Sequence, residues 1–304
     1  MTDYGHDLLF GTFTTPTVQP PMHAVEMAIV ADQAGLDLVT FQDHPYNAGF
    51  HDTWTLMSYV ASRTKNIHVS GNVLNLPLRQ PAVLARAAAS LDLLSGGRVE
   101  MGIGAGGFWD AIASMGGRRL TPGQSVEALE EAILIMKEIW DTDTRGGVRR
   151  EGEYYQVKGA KRGPAPAHDI GIWVGAYKPR ILRMTGRVAD GTLPSMAYLQ
   201  GGPSDLIELN KHVDEGAEKA GRDPSEIRRL LNISGQFARD GRSLLVGPPK
   251  QWSEELAEMT FRYGVTGFLL TADDAGTIEL FAKEVAPATR ELVASARATS
   301  GVPA

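Results

Sequence analysis

Eight short apolar segments alternate with amphipathic helical segments along the 304 residues, and this alternation constrains the fold more than any other feature. Strictly alternating strands and helices require a parallel sheet. Eight such units favour closure into a (β/α)8 TIM barrel over an open doubly wound sheet, which usually has fewer strands. The strands are predicted at Leu8–Phe13, Leu36–Gln42, His68–Leu74, Arg98–Ala105, Ile170–Ala176, Gly191–Met196, Arg229–Phe237 and Val265–Thr271.

The same alternation runs through the whole chain without a linker or a shift in composition. We therefore predict a single α/β domain over residues 1–304. Two segments interrupt the pattern, at about 141–168 and about 240–251, and we expect both to be insertions that shape the ligand pocket. The first is rich in glycine, proline, tyrosine and charge, which is typical of a loop or a hairpin.

Composition removes several classes of function. A chain with no cysteine has no disulfide, thiolate nucleophile or cysteine-held metal. Thirty basic and 36 acidic residues give a net charge of −6 with no basic block, so nucleic acid is not an expected partner. The first residues do not resemble a signal peptide, and no apolar stretch has the length of a membrane span. We expect a cytoplasmic protein with no membrane partner.

Catalytic residues of a TIM barrel lie at the carboxyl ends of its strands. The second predicted strand ends in Asp43 and His44. An imidazole at that position can give or take a proton near neutral pH, and an adjacent carboxylate can tune it. The structural alternative is that Asp43 caps a turn and His44 lies at the rim of the barrel.

A metal site competes with that interpretation, because Asp43, His44, His51 and Asp52 lie within ten residues. Metal-dependent barrels usually gather their ligands from several strand ends. The other histidines follow no such arrangement in the sequence. The sequence therefore predicts no metal site.

Two strand ends are suited to an anionic, planar ligand. The fourth strand ends in glycines that include Gly106 and Gly107, where missing side chains allow a ring or a phosphate to approach the backbone. The fifth is followed by Lys178 and Arg180 at a predicted helix start, where free amides and cations favour an anion. Tight packing of the strand and solvated surface charges are the alternatives.

Several longer motifs resemble the luciferase-like monooxygenase superfamily, which includes flavin-dependent monooxygenases and oxidoreductases that use the deazaflavin coenzyme F-420. The resemblance extends over nearly the whole chain and is most specific between residues 91 and 104. The matching stretches are Phe41–Tyr46, Asn75–Ala87, Leu91–Gly104, Gly175–Tyr177 and Val188–Gly191.

The resemblance implies a role for each strand end. Asp43 and His44 would face the cofactor ring, with His44 as proton donor or base. A bulge with a non-prolyl cis peptide would lie behind the ring, and the next two strand ends would hold the ribityl and phosphate portions. The implied cofactor contacts are Asp43, Asn72, Val73, Leu74, Ala105, Gly106, Gly107, Gly175, Ala176, Tyr177 and Lys178. We expect the substrate pocket to be lined by Thr14, Tyr46, Phe50, Phe108 and Trp109.

The pair Asp43-His44 favours coenzyme F-420 over FMN, because FMN-dependent members often carry Glu-His-His at this position. Arg118 and Arg119 are then candidates to meet the acidic tail of the deazaflavin. The predicted function is hydride transfer between coenzyme F-420 and an apolar organic substrate. The alternatives are an FMN-dependent monooxygenase supplied by a separate reductase, a cofactor-binding protein without turnover, and a metal hydrolase. Family members are often homodimers, and the resemblance implies the same here.

Overall fold

Eight parallel strands close into a barrel in the computed structural model, which describes residues 3–300. The ring closes because β1 pairs with both β2 and β8, placing Gly11 beside Leu38 and also beside Leu269. The barrel strands are β1 Leu9–Thr14, β2 Leu38–Phe41, β3 His68–Gly71, β4 Val99–Gly104, β5 Ile172–Val174, β6 Gly191–Thr192, β7 Arg228–Ile233 and β8 Gly267–Thr271. The predicted (β/α)8 barrel is confirmed.

Helices surround the barrel and follow the strands in the predicted alternation. They are α1 His23–Ala34, α2 Thr53–Arg63, α3 Pro81–Ser95, α4 Trp109–Ser114, α5 Pro122–Trp140, α6 Pro179–Val188, α7 Asp205–Lys219, α8 Pro249–Tyr263, α9 Ala275–Leu280 and α10 Ala286–Ser300. Local chemistry fixes their ends. The Asp52 side chain caps α2 by accepting from the Thr55 N–H at 2.8 Å, and Gly35 ends α1 with a φ of +88°.

Two apolar cores hold the fold together. The larger one lies between the strands and the helices and contains Phe10, Phe41 and Met57, all fully buried. The smaller one fills the barrel with side chains from five regions of the ring: Leu38, Trp173, Leu193, Leu230 and Leu269. This filled interior leaves the strand ends as the place for a ligand.

The structure gives the form of both segments that interrupt the alternation. The segment 141–168, predicted as a loop or a hairpin, contains an antiparallel hairpin, Val148–Glu151 with Gln156–Ala160. In the segment 240–251, Val246–Gly247 pairs with Gln236–Phe237, and the last three residues already belong to α8. A π-helical turn at Phe281–Val285 joins α9 to α10.

None of the helices within residues 3–300 combines the length and the apolar character that a membrane span requires. The assignment of one domain to residues 1–304 stays a prediction, since its first two and last four residues lie outside the described range.

Candidate active site

Asp43 lies just beyond the end of β2, and its carboxylate is fully buried in an ion pair. The Arg79 guanidinium donates to both of its oxygens at 2.9 Å, and the Asn75 N–H donates to one of them at 2.8 Å. Arg79 also contacts Asp52 at 3.2 Å. The carboxylate therefore joins the β2 end to the segment after β3. Arg79 and Asn75 lie in a stretch that resembles the family, but the sequence assigned no role to either residue.

His44 follows Asp43 and is only partly buried, within an aromatic group of His44, Tyr46, Phe50 and Phe108. Its Nδ1 lies 2.6 Å from the Tyr46 hydroxyl. The His44 ring centroid lies 5.4 Å from those of Tyr46 and Phe108 and 6.5 Å from that of Phe50. The Tyr46 contact fixes the orientation of the imidazole, and within residues 3–300 no hydrogen bond is made by its Nε2.

Burial sets the protonation of this imidazole. Desolvation lowers the pKa of His44 from its usual 6.5, although the Asp43 charge acts in the opposite direction. Burial also raises the pKa of the Tyr46 hydroxyl, with a further contribution from Asp43. At neutral pH the pair consists of a neutral imidazole and a neutral phenol, which suits proton exchange with a substrate hydroxyl.

A buried amide pair crosses the barrel just below this mouth. Asn72 donates to the Asn232 oxygen at 2.7 Å and to the Thr40 hydroxyl at 3.0 Å, and Asn232 donates back to Asn72 at 3.1 Å. Thr14 is also fully buried, with its hydroxyl 3.3 Å from that of Thr12. Asn232 is a further residue that the sequence reasoning missed.

The segment after β3 forms the bulge that the resemblance implies. The peptide bond between Asn72 and Val73 is cis, and Leu74, fully buried, resumes pairing with β4. The Val73 side chain occupies the space beside two glycines: a Cβ added at Gly104 would lie 2.7 Å from it, and a Cβ added at Gly175 would lie 3.1 Å from it. Gly175 therefore makes room for Val73, and its predicted contact with the cofactor stays a prediction.

The residues after β4 form an open glycine edge, defined as Ala105, Gly106 and Gly107. Ala105 is buried, whereas Gly107 is exposed, and a Cβ placed on Gly107 would meet no atom within 4 Å. Gly106 has a φ of +93°, and a Cβ there would crowd Pro77 and Trp109, so the turn itself requires glycine. Trp109 begins the short helix α4, and Phe108 before it is 61% exposed.

The residues after β5 lie next along the ring. Ala176 is buried, and the Tyr177 hydroxyl accepts a hydrogen bond from the Ser195 N–H at 2.7 Å, which ties the β5 end to the β6 end. Lys178 is exposed at the N-cap of α6, and within residues 3–300 no carboxylate pairs with it. An anion at this helix start would meet both the ammonium group and the free amides.

The arginines considered as anion contacts have partners of their own, both Arg118 and Arg119 for the acidic tail and Arg180 at the start of α6. The Arg118 guanidinium lies 5.8 Å from the centre of the Tyr154 ring, Arg119 pairs with Asp110, and Arg180 pairs with Glu127. Arg118 and Arg119 are both exposed, and their predicted role stays a prediction.

The local cluster weighed as a metal site has other contacts. Asp43 and Asp52 both bind Arg79, and the His51 Nε2 lies 2.9 Å from the Pro21 carbonyl oxygen. Among the described residues, the group whose ligand atoms lie close enough to share an ion is instead His68, Glu100 and His168.

The fold is a TIM barrel in which these strand ends lie together at one mouth. The family model described as luciferase-like monooxygenase matches residues 8–243. The chain belongs to the luciferase-like monooxygenase family.

Similar proteins are dehydrogenases named for coenzyme F-420. The F-420-dependent glucose-6-phosphate dehydrogenase of Amycolatopsis mediterranei is 32% identical over 231 residues, which are 74% of this chain and 68% of that one. The enzyme of the same name from Gordonia bronchialis is 34% identical, over 72% of this chain and 66% of its own length. The alignments thus span about two thirds of these relatives.

A solved structure supports the fold assignment. An F-420-dependent secondary alcohol dehydrogenase, in complex with an F-420–acetone adduct, superposes with a TM-score of 0.80. The two sequences are 22% identical, and the superposition covers 93% of this chain and 99% of the other. The two proteins therefore share the barrel fold over almost the whole of this chain.

Proposed function

We propose that the protein is an oxidoreductase that transfers a hydride between the deazaflavin coenzyme F-420 and a carbinol or carbonyl carbon of an apolar organic substrate. The observation that carries the proposal is the Tyr46-oriented imidazole of His44, set among aromatic side chains beside an open glycine edge. The dehydrogenase names of the relatives described above favour the deazaflavin over FMN. FMN remains the alternative cofactor.

The residues at the barrel mouth fit a planar group that carries a phosphate. Gly107 leaves space at its Cα, and the buried Asn75 Oδ1 has no hydrogen-bond partner within residues 3–300, so a ligand N–H can satisfy it. Lys178 provides a cation at the start of α6. We infer that Ala105–Gly107 and Gly175–Lys178 hold the ribityl and phosphate portions, with the Asn72–Leu74 bulge behind the ring.

When bound, coenzyme F-420 supplies the carbon that accepts or donates the hydride. In the oxidation direction, His44 Nε2 accepts the proton of the substrate hydroxyl while Nδ1–H donates to the Tyr46 oxygen. In the reduction direction, His44 returns that proton to the carbonyl oxygen. The alcohol thereby loses a hydride to the cofactor and a proton to His44, so the oxidation to a carbonyl compound balances without oxygen.

Asp43 has a supporting role in this proposal. Its carboxylate is fully buried and engaged by Arg79 and Asn75, so it positions the loop that carries His44. Tyr46, Phe50 and Phe108 line the substrate pocket, together with Thr14 and Trp109. Phe108, 61% exposed, gives an apolar substrate a surface to cover.

We propose a cytoplasmic location and a homodimeric assembly for this enzyme. A separate reductase is required only if the protein is an FMN-dependent monooxygenase, which needs a supply of reduced FMN. Purified protein mixed with coenzyme F-420 and a panel of secondary alcohols, with glucose 6-phosphate as comparison, tests the function. Alcohol-dependent loss of the deazaflavin's visible absorbance supports it. Product formation that instead consumes oxygen and reduced FMN would establish the monooxygenase.

A further inference from the structure

A second cluster of ionisable residues lies at the opposite end of the barrel from His44. His68 begins β3, Glu100 lies near the start of β4, and His168 precedes β5, so three adjacent strand starts bring them together. The Glu100 Oε1 lies 3.3 Å from the His68 Nδ1 and 3.4 Å from the His168 Nε2. All three ligand atoms lie within 4.8 Å of one another.

Both contacts of Glu100 are longer than a typical hydrogen bond and match the separation of two ligands on one ion. An N–H···O bond usually spans about 2.9–3.0 Å, shorter than both contacts of Glu100. Nitrogen and oxygen ligands at about 2.0–2.1 Å from a tetrahedral zinc ion lie roughly 3.3–3.4 Å apart. The two contacts of Glu100 have that spacing.

Neighbouring groups hold the Glu100 side chain and place a carboxylate beside His168. The second oxygen of Glu100 accepts from the Gly171 N–H at 2.8 Å. The other ring nitrogen of His168 lies 2.9 Å from the Asp92 Oδ1 but is not aligned for a hydrogen bond to it. The fully buried Asp92 carboxylate is held by the Val99 and Ala167 N–H groups and places a negative charge beside the ring.

The cluster opens into a cavity of about 610 Å³ at the base of the barrel, lined by His68 and Glu100. Six carboxylates and one arginine are among the lining residues. Three of the carboxylates already have cationic partners, namely Asp37 with Arg290, Asp190 with Lys137 and Glu226 with Arg222. The lining arginine, Arg228, donates to the Asp7 carbonyl oxygen at 2.9 Å. The cavity gives a water molecule access to a fourth coordination position.

We propose that His68, Glu100 and His168 form a binding site for a divalent cation of the zinc class, with water as the fourth ligand. The site lies at the amino-terminal face of the barrel, where residues serve stability rather than catalysis. A bound ion would join β3, β4 and the segment before β5. The ion is therefore a structural clamp, independent of the cofactor at the other face.

The competing arrangement is a metal-free ion network. Hydrogen bonding to Glu100 raises the pKa of His168 to about 9, despite opposing desolvation, and Asp92 adds to the effect. A protonated His168 would then bridge the two carboxylates without an ion. Metal binding must displace that proton, so the two arrangements exclude each other.

A Zn²⁺ titration of the chelator-treated chain distinguishes the metal site from the metal-free network. Binding is measured by calorimetry, and stabilisation is measured by thermal unfolding. We expect one Zn²⁺ per chain and, at about 100-fold excess over Kd, a rise in Tm of roughly 5 °C. His68→Gln and His168→Gln should each weaken binding by at least about tenfold. The matched control is His212→Gln, because His212 also lies 3.4 Å and 3.3 Å from two carboxylates but belongs to no three-ligand group among the described residues.

His68 is partly exposed, so its substitution is expected to leave the barrel folded, which circular dichroism checks. If the wild-type chain takes up no Zn²⁺, the proposal is overturned in favour of the protonated network. The same holds if Zn²⁺ binds equally well to the His68→Gln and His168→Gln variants.

Discussion

The guanidinium of Arg79 donates to both oxygens of the buried Asp43 carboxylate at 2.9 Å, which joins the segment after β3 to the loop that carries His44. Because the planar guanidinium donates two hydrogen bonds in a fixed fork, this contact is more directional than one that a lysine could make. Asp43 therefore influences the imidazole through position as well as through charge.

Arg79→Lys tests that positioning role, because it keeps the positive charge and loses the two-pronged contact. We expect kcat to fall by about tenfold or more, since small misplacements of a catalytic group are costly. Arg86→Lys in the following helix α3 is the control, as the Arg86 guanidinium contacts the Lys161 carbonyl oxygen rather than a carboxylate of the site. Steady-state kinetics with equal kcat for Arg79→Lys and the wild type would contradict the role.

His44→Ala should lower kcat by about 10²–10⁴-fold, because it removes the proton acceptor. Cofactor affinity, measured by fluorescence titration, should change little. His51→Ala is the control, since His51 lies nearby and contacts the Pro21 carbonyl oxygen instead. An unchanged turnover in the His44 variant would exclude it as the base.

The pH profile of alcohol oxidation provides an independent check on His44. Burial lowers the pKa of His44 below 6.5, so the neutral, accepting form persists to lower pH than for a free imidazole. Activity should be constant around neutral pH and fall as pH drops through a midpoint below 6.5. This acid limb should be missing from the residual activity of His44→Ala, and a midpoint above 6.5 would count against the assignment.

Two glycine substitutions separate packing from cofactor contact. A Cβ at Gly102 would lie 2.0 Å from the Gly71 carbonyl oxygen, so Gly102→Ala should destabilise the barrel by roughly 3 kcal/mol or more. Gly107→Ala meets open space and should leave urea unfolding unchanged while weakening cofactor binding. If Gly107→Ala instead binds the cofactor as tightly as the wild type, the cofactor does not lie against that edge.

The amide pair between Asn72 and Asn232 should contribute measurably to stability. Asn232→Ala leaves a buried carboxamide partly unpaired, which costs about 1–3 kcal/mol. A double-mutant cycle with Asn72→Ala, followed by urea denaturation, isolates the coupling. Strict additivity of the two substitutions would show that the pair is energetically neutral.

Much of the architecture was predictable because strand and helix periodicities are local. The strand count, the placement of His44 at a strand end and the exposed Gly107 all follow from nearby residues. Asn232 was not predictable, since it meets Asn72 across 160 residues of chain and only barrel closure joins them. The sequence placed Asp43 beside His44, its neighbour in the chain. The partner of its carboxylate, Arg79, lies 36 residues further on, so local sequence did not indicate that contact.

The cluster of His68, Glu100 and His168 was not predicted from the sequence for a related reason. These residues lie at or just before the beginnings of strands, whereas the catalytic residues of a barrel lie at the strand ends. Their spacing along the chain resembles no ligand motif, and the parallel register of β3, β4 and β5 brings them together.

Parallel titrations of the purified protein with coenzyme F-420 and with FMN test the central proposal most directly. Binding is read by cofactor fluorescence. We predict that coenzyme F-420 binds with micromolar or tighter affinity, at least about tenfold more tightly than FMN. Micromolar binding of FMN alone, with no detectable binding of coenzyme F-420, would contradict the account.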